Sequence, residues 1–288
     1  MTRGIGLVFN LFKLRIGIVI AVTALAGIAI SPGSVPSLVQ ICVLALAVLV
    51  SSASAGAFNQ YYEHELDGRM NRTRSRPFVT GVLRHHRGWL ALIVVMIFAA
   101  VASAWYTVNP VAALFTFLGA FFYAVVYTVW LKRRTWWNIV IGGLAGSFAV
   151  LAGAAAVAPS LAPEAMLLAL VLFLWTPSHF WSLAIAYRDE YAQAGVPMLP
   201  VVKGSAFAAK AILANTVLLV VASLLPGLFH PGWIYLTGAI AGGAFFLWYN
   251  FKLVADPNRA TAMKCFHASL LQLSLVLVAT MLDRALLG

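Results

Sequence analysis

Charge-free stretches alternate with short polar segments along this chain. Leaving histidine aside, no Asp, Glu, Lys or Arg occurs in 16–62, 88–131, 211–251 or 265–282, and 135–187 holds only Glu164. A helix needs about 20 apolar residues to cross a hydrocarbon core, so the first four stretches in chain order are each about two helices long. Each is broken near its middle: at Ser31-Pro-Gly-Ser-Val-Pro36, at Asn109-Pro110, at Pro159-Ser-Leu-Ala-Pro163 and from Pro226 to Gly232. Clustered proline and glycine punctuate helices, and an irregular loop cannot face lipid inside the hydrocarbon. Each break is therefore read as a turn at the far membrane surface. Four helical hairpins and a final span predict about nine helices, near 13–31, 37–58, 88–108, 111–131, 138–158, 164–186, 206–226, 231–251 and 266–284. The fold class expected is an all-α polytopic membrane protein in one membrane-embedded domain, 1–288.

Composition sharpens this reading. Hydrophobic residues make up 62% of the 288 positions and charged ones 9%, against roughly a quarter charged in a soluble domain. All of the 19 Lys and Arg except Arg284 precede the first span or lie between hairpins. The positive-inside rule then places the N-terminus and the long loops in the cytoplasm and the C-terminus outside. The net charge of +11 is in this reading mostly topological, and no nucleic-acid partner is expected. Cys42 and Cys265 show no paired motif and read as small apolar filler. The first span begins too early to leave room for a transit peptide, and a cleaved signal is not expected. Gly142-x-x-x-Gly146 and Gly238-x-x-x-Gly242 allow close helix approach.

Two predicted cytoplasmic loops are long and polar, about 59–87 and about 187–205. They lie four helices apart, and an even number of crossings returns the chain to the same face. A parallel four-helix duplication gives that spacing.

The first loop opens Asn59-Gln-Tyr-Tyr-Glu63-His-Glu65-Leu-Asp67. Asn59, Glu63 and Asp67 are four apart, so on a continuing helix they share one stripe. Three oxygen-bearing side chains in a row suit Mg²⁺, a hard cation usually shared with substrate phosphates. Arg72, Arg74 and Arg76 follow, and guanidinium groups bind phosphate oxygens bidentately. Acid, metal and arginine at a membrane surface point to a diphosphate, whose departure is stabilised by fixed positive charge. Read without chemistry, the same residues are a wetted helix end with surface salt bridges and topology signals.

The second loop follows Trp175-Thr-Pro177-Ser-His179-Phe-Trp181 and reads Tyr187-Arg188-Asp189-Glu190-Tyr191. Arg188, Asp189 and Glu190 are candidates for a second metal or diphosphate contact facing the first. Trp175, Phe180, Trp181, Tyr187 and Tyr191 offer ring faces that attract cations, or form the interfacial aromatic belt. His179 lies about two helical turns inside the membrane from the acids and is either a hydrogen-bonded helix partner or a ligand. Pro177 removes a backbone donor and is expected to kink its helix. A third cationic element, Lys132-Arg133-Arg134, ends the fourth span.

With these constellations in place, the chain resembles the UbiA-type intramembrane prenyltransferases. The superfamily pattern is Asn-x-x-x-Asp-x-x-x-Asp after the second helix and another acidic motif after the sixth. Four further runs are similar to the heme O synthase branch of that superfamily: Arg72-Thr-Arg-Ser-Arg76-Pro77, Tyr127-Thr-Val-Trp-Leu-Lys-Arg133, Trp175-Thr-Pro-Ser-His-Phe-Trp181 and Glu190-Tyr-Ala-Gln-Ala-Gly-Val-Pro-Met-Leu-Pro200. The match runs from Lys13-Leu-Arg15 through Pro200, and the last three spans agree in pattern only. Glu63 and Glu190 stand where Asp is usual, Glu65 where Asp is common and Ser178 where Pro is frequent. None of these departures removes a charge.

The resemblance implies a UbiA-type helical bundle with a cytoplasm-facing active-site cavity, in a bacterial inner membrane. It implies transfer of a farnesyl group from farnesyl diphosphate to a vinyl group of heme b, with addition of water. In residue terms it implies Asn59, Glu63 and Asp67 at Mg²⁺ and diphosphate. Asp189 and Glu190 form the second acidic site. Arg72, Arg76, Lys132, Arg133 and Arg188 act on the leaving group, and His179, Trp175 and Trp181 on the heme. Heme A synthase or terminal-oxidase assembly proteins are the partners it implies. Two rivals remain at this point: a UbiA-type enzyme acting on a quinone precursor or chlorin, and a non-catalytic transport or heme-carrying membrane protein.

Overall fold

The computed structural model describes residues 2–229 and 232–287, without the side chains of Thr2 and Arg3. The described residues are helical with no strand. A short helix α1 (Thr2–Leu11) bends at Lys13 into α2 (Leu14–Ile30), and α3 (Leu38–Tyr62) returns. A single turn, α4 (His64–Asp67), leads through the first polar loop to α5 (Gly88–Thr107) and α6 (Pro110–Phe121). A π-helical stretch, Phe122–Leu131, extends α6. Then come α7 (Asn138–Gly142), α8 (Leu144–Val157), α9 (Pro163–Ala186), the small helices α10 (Arg188–Gln193) and α11 (Leu199–Lys203), α12 (Ser205–Leu224), α13 (Trp233–Ala255) and α14 (Arg259–Leu287).

Every predicted span therefore coincides with a helix or a helix pair. Among the described residues, seven helices are long and apolar enough to cross a membrane, and the pair Gly4–Leu11 with Leu14–Ile30, bent by 54°, passes the same test as a broken span. Helix α13 has the length, 23 residues, but its Trp, Tyr, Gly and Asn residues keep it outside that set. The expected turns also appear. Ser37 and Gln40 form a reciprocal capping box at the start of α3, which satisfies two otherwise orphaned N–H groups. Asn109 caps α6 through Ala112 N–H while its own amide donates to the Ala155 carbonyl at 2.7 Å. Of the predicted turn from Pro226 to Gly232, residues 230–231 lie outside the described residues.

Helix α9 is the hub. Of its apolar window 72% is buried, against 17% for the peripheral α5. It packs on α8, α12 and α14, while α14 also reaches α2 and so joins the two ends of the chain. Pro177 lies within α9. Asn215 of α12 donates to the Leu174 carbonyl beside it at 2.5 Å and to Ser178 Oγ at 2.7 Å. Pro177 leaves the Phe173 carbonyl without its helical donor, and Asn215 ties α12 to the turn of α9 that holds the proline.

Helices α2 and α8 pack backbone to backbone at two glycines. A Cβ on Gly27 would overlap the Val150 carbonyl oxygen, and one on Gly153 would overlap that of Ala24. Gly238 and Gly242 do meet α14 closely, at Ala279 and Gln272, but Gly142 lies against the Tyr127 side chain and Gly146 has open space around it. Of the two glycine pairs singled out in the sequence, the second is a helix seam and the first is not. Forcing a methyl into packed backbone costs about 1–3 kcal/mol, whereas Gly to Ala in open helix gains roughly 0.5–1 kcal/mol. Gly153→Ala is expected to lower the melting temperature in detergent by several degrees and Gly146→Ala to leave it level or raise it. Equal melting temperatures for the two would contradict this packing.

Candidate active site

The acid stripe sits where α3 gives out. The helix ends at Tyr62 rather than continuing, and Glu63 takes φ −98° and ψ 10°. The four-residue spacing nevertheless survives the break. Glu63 N–H donates to the Asn59 carbonyl at 3.0 Å and Asp67 N–H to the Glu63 carbonyl at 2.8 Å. Asn59, Glu63 and Asp67 therefore stay in one row, though on two helical pieces instead of one. All three are buried, at 2%, 0% and 2% exposure.

Each member of the row meets a cation. Lys13 Nζ donates to Asn59 Oδ1 at 2.7 Å. Lys132 Nζ donates to Glu63 Oε2 at 2.5 Å, and Arg76 Nη1 to Asp67 Oδ2 at 2.6 Å. Asn59 also donates from Nδ2 to Glu63 Oε2 at 2.7 Å and to Thr128 Oγ1 at 3.1 Å, which fixes the orientation of its amide. Glu63 Oε1, by contrast, is buried with no hydrogen-bond partner. A buried carboxylate oxygen left bare is costly, and it fits a cation held there by Asn59, Glu63 and Asp67.

The π-helical stretch positions one wall. Its wider turn sets residues five apart above one another, as Thr128 Oγ1 donating to the Tyr123 carbonyl at 2.8 Å and Lys132 N–H donating to the Tyr127 carbonyl at 2.9 Å both show. Tyr123, Thr128 and Lys132 thereby all face the acid row, and π-type turns of this kind gather at functional sites. Tyr123 stacks on Tyr127 at 5.8 Å and accepts a hydrogen bond from Lys13 Nζ at 2.8 Å.

Lys13 escaped the sequence reading as a site residue. It occupies the bend between α1 and α2 in a left-handed conformation, φ 47°, and its stem packs beside Gly56. Its ammonium is held by an amide and a phenol, both neutral. The cluster around the row contains three cations, Lys13, Lys132 and Arg76, against two carboxylates, Glu63 and Asp67. The surplus charge is the one on Lys13.

The second loop does face the first. Arg72 Nη2 donates to the Tyr191 hydroxyl at 3.1 Å, its backbone N–H to Glu190 Oε2 at 3.4 Å, and its guanidinium lies 5.7 Å from the Tyr187 ring. Arg259, at the start of α14, covers the same ring at 5.2 Å. Other expected members stand apart. Arg188 is exposed and donates from Nε to the Pro200 carbonyl at 3.0 Å, Asp189 is exposed, and Arg133 lies over the Tyr62 ring at 5.9 Å.

The aromatic group forms around His179. Trp175 stacks on its ring at 4.1 Å and Phe266 of α14 at 4.3 Å. Phe180 meets the ring edge-on at 5.1 Å. His179 Nδ1 lies 2.7 Å from Ser269 Oγ. Trp181 is part of the hydrophobic core instead, with its indole N–H unpartnered. Both cysteines are free thiols. Lys13, Tyr123, Arg259, Phe266 and Ser269 are site residues that the sequence alone did not single out. Only Lys13 had a signal there, as a lysine at the very edge of a charge-free span.

Comparison with known proteins gives the family and the fold. The chain is 54% identical over 288 residues, all of both chains, to "Protoheme IX farnesyltransferase 2" of Paramagnetospirillum magneticum. It is 50% identical over 276 residues to "Protoheme IX farnesyltransferase 1" of the same organism, covering 96% of this chain and 97% of that one. A structure of digeranylgeranylglyceryl phosphate synthase superposes with TM-score 0.80 at 18% identity, over 97% of this chain and 98% of that one. A UbiA homologue from Archaeoglobus fulgidus bound to DMAPP and Mg²⁺ superposes with TM-score 0.74 at 15% identity, over 93% of this chain and 98% of that one. The sequence profile of the UbiA prenyltransferase family matches residues 20–276, and the chain belongs to that family.

Proposed function

We propose that this protein is a heme O synthase: it transfers the farnesyl group of farnesyl diphosphate to a vinyl group of heme b, with addition of water. One observation carries the chemistry, the row Asn59–Glu63–Asp67 facing Lys13, Lys132 and Arg76 at 2.5–2.7 Å. Full-length identity to the protoheme IX farnesyltransferases supports heme as the acceptor. The catalytic unit is a single membrane domain spanning 1–288, with its polar loops on the cytoplasmic face of a bacterial inner membrane.

Asn59, Glu63 and Asp67 would hold Mg²⁺, with the bare Glu63 Oε1 as the evident ligand. Bound there, the ion supplies neutralisation of diphosphate charge. The protein's own part is electrostatic. Lys132 and Arg76 hold the two carboxylates in place before substrate arrives and offer their charge to the diphosphate. Lys13 brings a half-buried ammonium whose direct partners are neutral, and an anion would complete it. Arg72, braced by Tyr191 and flanked by Tyr187 of the second loop, closes the site from the first loop, with Asp189 and Glu190 as the second acidic pair. Arg133 and Arg188 contribute a diffuse positive field from outside the cluster. Tyr123, Tyr127 and Trp175 present π faces suited to allylic positive charge, and the apolar helices exclude water from it. His179 is the heme contact.

Membranes containing the protein, supplied with farnesyl diphosphate, are expected to yield heme O in place of heme b. Turnover of an aromatic acid with heme b left untouched would overturn the assignment. Asp67→Ala is expected to lower heme O formation at least ~100-fold, in the range for removing one preorganised stabilising group, with expression preserved. Activity within a few-fold of wild type would contradict the metal site. Lys13→Met is expected to weaken inorganic pyrophosphate binding about 10–100-fold, the value of one charge-assisted hydrogen bond, and to leave heme affinity unchanged. Calorimetry with pyrophosphate and Mg²⁺ measures it, and unaltered affinity would remove Lys13 from the diphosphate site.

A further inference from the structure

We infer that Ser269, on the last helix, is a positioning residue that fixes which nitrogen of His179 carries the proton. The inference rests on the reading of His179 as the heme contact. Ser269 is fully buried, and its Oγ makes two short contacts. One is to the Phe266 carbonyl at 2.6 Å, the other to His179 Nδ1 at 2.7 Å. A serine hydroxyl has a single proton to give. A carbonyl oxygen cannot donate, so at 2.6 Å the hydroxyl proton must lie toward Phe266; otherwise two lone-pair oxygens would be pressed together in a dry interior. The contact to the imidazole is then a bond in which Nδ1–H donates and Oγ accepts. In neutral His179 that leaves Nε2 bare, with its lone pair in the ring plane.

The surroundings hold that arrangement. Trp175 and Phe266 cover both faces of the ring, so it cannot turn over to exchange its nitrogens without parting this stack. Trp175 is anchored to the same residue, its indole N–H donating to the Ser269 carbonyl at 2.8 Å. Residues 175 and 179, one turn apart on α9, thus both grip Ser269, one through its backbone and one through its hydroxyl. Among the described residues, Nε2 makes no hydrogen bond, and His179 keeps 6% of its surface open. A bare in-plane imidazole nitrogen is the form that ligates iron, and the partner on the opposite nitrogen orients the ring and raises its basicity. Ser269 does for His179 what a carbonyl or carboxylate does behind a metal-bound histidine. The substrate class it prepares the site for is a metalloporphyrin with an open axial position.

The test uses the full-length chain in bilayers, labelled with ¹⁵N-histidine, with His179→Gln identifying the resonance. Wild-type His179 is expected to show a protonated Nδ1 and an unprotonated Nε2 in its neutral form. The opposite tautomer would overturn the proposal without any variant of Ser269. Titration with ferric protoheme IX gives the second readout. Ser269→Ala, which keeps the Trp175 anchor because that bond uses the backbone, is expected to weaken heme binding about 10–100-fold, as loss of such supporting partners does. The KM for farnesyl diphosphate should stay unchanged. Ser269→Thr restores the hydroxyl and should restore affinity. Wild-type heme affinity in Ser269→Ala alongside a loss in His179→Gln would overturn the positioning role alone. Wild-type affinity in His179→Gln would overturn the heme-contact reading itself.

Discussion

A carboxylate with no exposure at the end of an apolar helix has to be paired, and Glu63 is that carboxylate. Most of the polar architecture is built around it. Asn59 and Lys132 share its Oε2, Thr128 orients Asn59, and the π-helical turn brings Thr128 and Lys132 to the same wall. Lys13 and Arg76 extend the pattern to either side. The row is held together by its own cations, and the bare, buried Glu63 Oε1 marks where that internal pairing is incomplete. Desolvation makes such a cluster unfavourable in the absence of a ligand, which is the physical basis for proposing that it takes up a divalent cation and an anion together.

The bundle places this cluster between two loops that are far apart in sequence. Arg72 of the first touches Tyr187, Glu190 and Tyr191 of the second, while α14 closes the circuit to α2 and brings Arg259 to Tyr187. The last helix does more than fill space: through Phe266 and Ser269 it shapes the surroundings of His179 deeper in the bundle. The two functions proposed, holding a diphosphate and receiving a porphyrin, draw on different helices and meet along α9 and the second loop.

Helix positions were legible because lipid imposes a strict rule: charge is excluded over about 20 residues and Pro and Gly mark the turns. The acid row was legible because a four-residue spacing survives even where the helix breaks at Glu63. What depended on distant partners was not. The Gly27–Gly153 seam joins residues on separate helices with no local motif, whereas Gly142 and Gly146 form a local motif without a seam. The π-helical register from Phe122 to Leu131 leaves no pattern in a uniformly apolar stretch. Lys13 reads as a topology signal until Asn59 and Tyr123 are placed beside it. Ser269 reads as an ordinary small polar residue until His179 is.

The central claim is that the cations now pairing the acid row are the ones that bind the diphosphate. An experimental structure with Mg²⁺ and inorganic pyrophosphate tests it most directly. The account predicts the metal on Asn59, Glu63 and Asp67, with Lys132 and Arg76 turned from the carboxylates to the phosphate oxygens and Lys13 joining them. Pyrophosphate bound elsewhere, with the Lys132–Glu63 and Arg76–Asp67 pairs intact, would contradict it.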